Sequence, residues 1–111
     1  MAASADGFRI ETSRGDEGVR LRLAGEVDAA TAPLLEAQIS EAVRAGYAQV
    51  ILDFGDLKFI DSSGLSVLVS NHKRLRDAGG DLVVDSPPPA ALRLFEIAGL
   101  DRVLTIRNAR G

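Results

Sequence analysis

The sequence predicts a single α/β domain: a mixed sheet of about five strands, opened by an antiparallel hairpin, continued by parallel β-α units and flanked by helices. Three observations lead there. Residues 8–12 and 19–23 alternate apolar and polar side chains with the period of a half-exposed strand. Beyond them, stretches with helical spacing alternate with short apolar runs, giving the order β-β-α-β-α-β-α-β. The run Val50-Ile51-Leu52 is continuously apolar, as expected of a parallel strand with both faces covered by helices.

Each element has its own justification. Residues 1–6 are small and polar and are expected to form a flexible N-terminus ahead of a domain spanning 7–107. Phe8, Ile10 and Thr12 share one face of the first strand, with Arg9 and Glu11 on the other. Arg14-Gly15-Asp16-Glu17-Gly18 is a turn, and Val19, Leu21 and Leu23 continue as the second strand of the hairpin. Gly25-Glu26-Val27-Asp28 breaks the pattern before a helix capped at Asp28 or Thr31. Pro33 suits its first turn, where a missing N–H costs nothing. Leu35, Ile39, Ala42 and Val43 form its buried stripe, and Gly46 ends it.

Residues 49–54 read as the next strand, with Gly55-Asp56 as a turn and Phe59 and Ile60 as a buried apolar pair. A second helix, from about residue 63 to 78, carries Leu65, Leu68, Val69, His72 and Leu75 on one stripe and stops at Gly79-Gly80. Lys73, Arg74 and Arg76 suit the negative end of its dipole. Residues 82–84 form a short strand, and Pro87-Pro88-Pro89 a stiff loop into a helix facing inward at Leu92, Phe95 and Ala98. A last short strand is expected at 103–106 and a tail at 108–111. Right-handed crossovers would bring the loops after Ala24, Phe54 and Val84 to one sheet edge, where sites of α/β folds gather.

Bulk properties remove several function classes. The 111 residues suit one domain, and a net charge of −3 argues against a nucleic-acid binder that relies on a basic surface. With no cysteine there is no disulfide and no thiolate chemistry. No apolar run approaches the roughly 20 residues of a membrane span. The N-terminus shows no basic-then-apolar leader, so a cytoplasmic chain without membrane contact is expected.

The stretch with the most chemical character is Leu57-Lys58-Phe59-Ile60-Asp61-Ser62-Ser63-Gly64-Leu65. An apolar run stops at an acid and two hydroxyls, then restarts with helical spacing. Asp61 and Ser62 are both good N-cap residues. Read plainly, the stretch is a helix start. Read further, a serine hydroxyl at a helix mouth is a place where the fold can carry a phosphate, because free N–H groups and the dipole favour an anion there.

Enzyme signatures are missing. His72 is the only histidine and lies ten residues beyond Ser62 on the same helix, roughly 15 Å away at the helical rise. There is no G-x-S-x-G elbow, no phosphate-binding glycine loop and no metal-ligand spacing. Asp53 ends a buried strand without the acidic pair and lysine that a phospho-accepting receiver aspartate would need, and reads as a strand-end or turn residue. No catalytic residue, metal or cofactor is therefore expected.

Gly25-Glu26-Val27-Asp28, Thr31-Ala32 with Leu35, the Phe59 to Leu65 stretch, and Leu94-Phe95 with Gly99-Leu100 together resemble the STAS domain family, and within it bacterial anti-sigma factor antagonists. The likeness runs from about Phe8 to Ile106. It implies partner switching, as in stress-response regulation of transcription. The unphosphorylated chain would bind an anti-sigma factor that is itself a serine/threonine kinase, releasing the sigma factor. Phosphorylation on Ser62 would end that binding, and a PP2C-type phosphatase would restore it. Asp28, Asp61, Ser62, Ser63 and Gly64 would line the docking surface of a monomer or weak dimer. Ser66 departs from the glycine common there. Two other readings remain open: a constitutive STAS scaffold in a stressosome-like or ABC lipid-transport complex, and a small-molecule binder with a closed pocket near Asp28 and Ser62.

Overall fold

The computed structural model describes residues 2–5 and 7–109. Met1 and Asp6 of the expected flexible start, and Arg110 and Gly111 of the expected tail, lie outside the described residues. The alternating segments form the hairpin of β2 (Phe8–Gly15) and β3 (Gly18–Val27), with Ile10 opposite Leu23 and Gly15 opposite Gly18. Ala2–Ala5 adds an antiparallel edge strand, β1, against β2. Alanines carry little strand signal, so only the ladder reveals this element.

The chain continues through α1 (Ala32–Arg44), β4 (Gln49–Ile60), α2 (Ser62–Asp77), β5 (Asp81–Asp85), α3 (Pro89–Ile97), a 3-10 turn at Leu100–Arg102 and β6 (Thr105–Arg107). The six strands lie in chain order, antiparallel from β1 to β3 and parallel from β3 to β6. Each parallel crossover therefore steps to the next strand in the same direction. Right-handed connections then place α1, α2 and α3 on one face of the sheet. Packing agrees: Leu21, Leu23, Leu52, Phe54 and Val84 share one core with Leu35, Ile39, Leu68, Leu75 and Phe95.

This corrects the expectation that helices cover both faces. Ile51 and Val83 point the other way and are nonetheless buried. Charged side chains border them in place of helices. Arg20 Nη1 lies 3.1 Å from Asp53 Oδ2 and 3.0 Å from Asp85 Oδ2, and Arg107 forms a two-pronged pair with Glu17 at 2.6 and 3.1 Å. Asp53 is thus a half-buried member of an ion network on the helix-free face, inside β4 rather than at its end; its Oδ1 also accepts the Gly55 amide. Burial works to raise the Asp85 carboxyl, but hydrogen bonds from Asn108, Arg20 and Ser86, with the charge of Arg107, hold it below its ordinary value.

The Gly55-Asp56 turn does not occur either. β4 runs on to Ile60, and its pairing with β3 shifts between Arg22 and Ala24 and again between Gly25 and Glu26. A glycine-acid pair that reads as a turn is absorbed as irregularity inside one long strand. The first shift brings Leu57 into the core; the second restores the alternation set by Val50, Leu52 and Phe54, so Ile60 faces in and Phe59 points outward, 49% exposed, where burial was expected. In α3, Ala91 and Phe95 face the core, while Ala98 is an exposed C-cap. The short last strand falls at 105–107, after the 3-10 turn.

Candidate functional site

The longer β3 and β4 end level with each other. Val27 pairs with Ile60, and the Asp61 amide donates to the Val27 carbonyl at 3.1 Å. The residues that follow, Asp28 and Asp61–Ser62, leave the sheet side by side at the carboxyl edge. Asp28 and the Asp61–Ser62 turn, more than thirty positions apart in sequence, are therefore neighbours at one edge of the fold.

Each acid orders its own turn. Asp61 is the N-cap of α2: Oδ1 accepts the amides of Ser63 at 2.9 Å and Gly64 at 3.4 Å. Asp28 Oδ1 accepts the amides of Ala30 at 2.9 Å and Thr31 at 3.1 Å, closing a turn into α1. Thr31 holds the N-cap position of α1 without capping it; its hydroxyl is turned back toward β3. Gly64 is buried, and a Cβ there would sit 2.5 Å from Ile60 Cγ1 and 2.8 Å from Val27 Cγ1. Only glycine lets the first turn of α2 lie this close to the two strand ends.

Ser62 is the first residue of α2 and is exposed; Ser63 is half-buried. The Ser66 hydroxyl donates to the Ser62 carbonyl at 3.0 Å, so the extra hydroxyl at this position engages the helix backbone. Beside this edge lies a small apolar hollow of about 200 Å³, bordered by Phe59, Ile60, Pro88, Ala91 and Leu94. Phe59, expected in a buried pair with Ile60, is a surface residue. A signal for it is parity: Val50, Leu52, Phe54 and Ile60 share one face of an alternating strand, and Phe59 falls on the other.

Among the described residues, the remaining polar clusters form no catalytic constellation. His72 Nε2 lies 3.4 Å from both Thr105 Oγ1 and Asp81 Oδ1, and the Thr105 hydroxyl donates to Asp81 at 3.0 Å. Histidine, hydroxyl and acid are all present, but one ring nitrogen faces both partners. A base needs the acid on one nitrogen and the nucleophile on the other. Among the described residues no group of three or more histidines, cysteines or acids is placed to hold a metal ion. Nor is any helix there long and apolar enough to cross a membrane.

A sequence model described as the STAS domain matches residues 9–111. The chain belongs to the STAS domain family. Among its STAS relatives, the anti-sigma-B factor antagonist of Listeria monocytogenes is 35% identical over 99 residues, covering 88% of this chain and 86% of the relative. The structure of the anti-sigma factor antagonist SpoIIAA in its unphosphorylated form is 26% identical, with a TM-score of 0.75 over 88% of this chain and 87% of that one. The Bacillus cell fate determinant SpoIIAA in the phosphorylated form is 27% identical, with a TM-score of 0.69 over 88% and 90% of the two chains. The STAS fold of this chain is thus shared with a protein whose structure exists in both states.

Proposed function

We propose that this STAS domain is an anti-sigma factor antagonist that works by partner switching. Its unphosphorylated form binds an anti-sigma factor that is also a serine/threonine kinase, so that the sigma factor is freed. Phosphorylation of Ser62 ends the binding, and a PP2C-type phosphatase reverses it. Asp28, Asp61, Ser62 and Ser63 form the docking edge, with the buried Gly64 setting the close approach of α2 beneath them.

The observation that carries this reading is the position of Ser62: exposed, first in α2, and next to two acids at adjoining strand ends. A phosphate there adds roughly −1.5 to −2 charges. The fold accommodates it, since a helix N-terminus favours anions. A docked partner meets a dense negative patch instead, and one misplaced charge at an interface costs several kcal/mol, on the order of a hundredfold in affinity. The same site thus tolerates the modification in the free chain and penalises it in the complex. The names of the relatives support the anti-sigma role, and the phosphorylated SpoIIAA structure supports a covalent switch in this family.

The test is recovery of the chain from its native cell, with mass spectrometry of both partners and bait. Recovery of a kinase with the unmodified chain, and its absence from chain carrying phosphate on Ser62, is the expected result. A stable large complex with no phosphate under any condition would replace the switch with a constitutive scaffold.

A further inference from the structure

We infer that Thr31 is a positioning residue for this edge: its buried hydroxyl fixes where the Asp28 carboxylate stands relative to Ser62. The inference rests on the partner-switching reading and adds to it the residue that sets the spacing of its charges.

Thr31 is 1% exposed, although it lies just before a helix at the sheet edge. Its hydroxyl has one proton and two lone pairs. The proton goes to the Glu26 carbonyl at 2.9 Å, and a lone pair accepts the Asp28 amide at 3.0 Å. Asp28 Oδ1, 3.3 Å away, is the alternative acceptor for the same proton. One side chain therefore clamps the backbone on both sides of Val27, the residue whose carbonyl receives the Asp61 amide.

The clamp sits where the strand most needs one. After the shift between Gly25 and Glu26, β3 pairs with β4 again only at Glu26–Phe59 and Val27–Ile60, and the ladder stops there, so strand pairing does not fix the direction in which Asp28 leaves the sheet. Thr31 supplies that direction from the other side. The next residue, Ala32, and then Leu35 are in the core, so the hydroxyl is anchored by α1 itself. The turn closed by Asp28 Oδ1 is local and would survive alone, but its placement against α2 would not. Without the hydroxyl, the Asp28 carbonyl still accepts the Thr31 and Ala32 amides at 3.2 and 2.8 Å, but the tie from its own amide is lost and its charge can shift relative to position 62.

A partner-free measurement tests this. Ser62→Asp and Asp28→Asn are combined in a double-mutant cycle, read as urea denaturation midpoints at low salt. Asn keeps the Oδ1 acceptor and removes only the charge. The cycle isolates the interaction between positions 28 and 62 whatever each change does alone. The expected result is a repulsive coupling in the parent, most of it lost in Thr31→Val and retained in Thr31→Ser. Equal coupling in Thr31→Val and the parent overturns the inference, as does loss in Thr31→Ser as large as in Thr31→Val. Absence of coupling in the parent overturns it without any change at position 31, so the test survives a valine variant that fails to fold. A chain that loses its kinase on phosphorylation but shows no coupling keeps the switch and discards the clamp. Coupling without partner loss does the opposite.

Discussion

The Asp61 amide donates to the Val27 carbonyl across 3.1 Å, so the two loops that carry acids at this edge start from one hydrogen-bonded pair of strand ends. Neither loop can shift far without breaking a β3–β4 contact. Ser62 follows this tie by one residue. The exposed hydroxyl is held on a frame that includes the longest strand of the sheet and the helix it feeds.

The cap at Asp61 separates structure from charge. Asp61→Ala removes the acceptor for the Ser63 and Gly64 amides and should lower stability by about 0.5–2 kcal/mol. Asp61→Asn keeps an acceptor oxygen and should cost less, about 0.3–1 kcal/mol from the lost charge at the helix mouth. Urea denaturation of the two variants side by side checks the order. An asparagine variant as unstable as the alanine variant would mean that the charge, not the cap, holds the turn.

Gly64 is expected to tolerate no side chain. Alanine is a better helix former than glycine by up to about 1 kcal/mol, so an exposed Gly64→Ala would stabilise α2. Here the added methyl meets Ile60 and Val27, both buried. Overpacking of this kind costs about 1–3 kcal/mol, and the net effect should be destabilising. The companion change Ile60→Ala makes room, so the double variant should lose less than the sum of the two single changes in thermal unfolding. Simple additivity would show that α2 relaxes away from the strand ends.

Much of this edge was legible in the sequence because it depends on local rules. The stripes of Leu35, Ile39 and Ala42 and of Leu65, Leu68 and Leu75 follow from helical period, and the Asp61 cap from residue type and position. That the Asp28 turn meets the Asp61 turn follows from the handedness of crossovers. What escaped was non-local. The irregularity near Gly55 resembles a turn unless the partner strand is known, and it decides that Leu57 is buried, while the second shift returns Phe59 to the outer face. The helix-free face could not be read from Ile51 and Val83, because an apolar residue does not record whether a helix or an arginine network covers it.

That network predicts an acid response. Burial opposes ionisation of Asp85, but its hydrogen bonds and Arg107 hold its folded-state pKa below the ordinary value. A carboxyl lowered on folding contributes stability above its unfolded pKa of about 3.9, and that contribution is lost as pH falls through the folded value. The wild-type denaturation midpoint should therefore fall on acidification through this window. Asp85→Asn should be less stable near neutrality, since Arg20 loses one of its two carboxylates, and should show a shallower fall in acid. Parallel pH profiles of the two proteins would show that Asp85 contributes nothing to the acid limb.

Charge at position 62 is expected to act on the complex and spare the fold. Ser62→Glu places a carboxylate at the first residue of α2, where the dipole favours it, so its thermal midpoint should stay close to that of the parent. Binding to the anti-sigma kinase recovered by pull-down should fall tenfold or more, a loss of at least about 1.4 kcal/mol. Ser62→Ala should bind as tightly as the unmodified chain and resist release. Because the loss is electrostatic, it should shrink in high salt, where the screening length drops to about 3 Å at 1 M. Isothermal titration of the three proteins at two salt concentrations measures all of this. A glutamate variant that binds with undiminished affinity would remove charge as the cause of switching. A loss that salt leaves unchanged would point to steric exclusion at the mouth of α2.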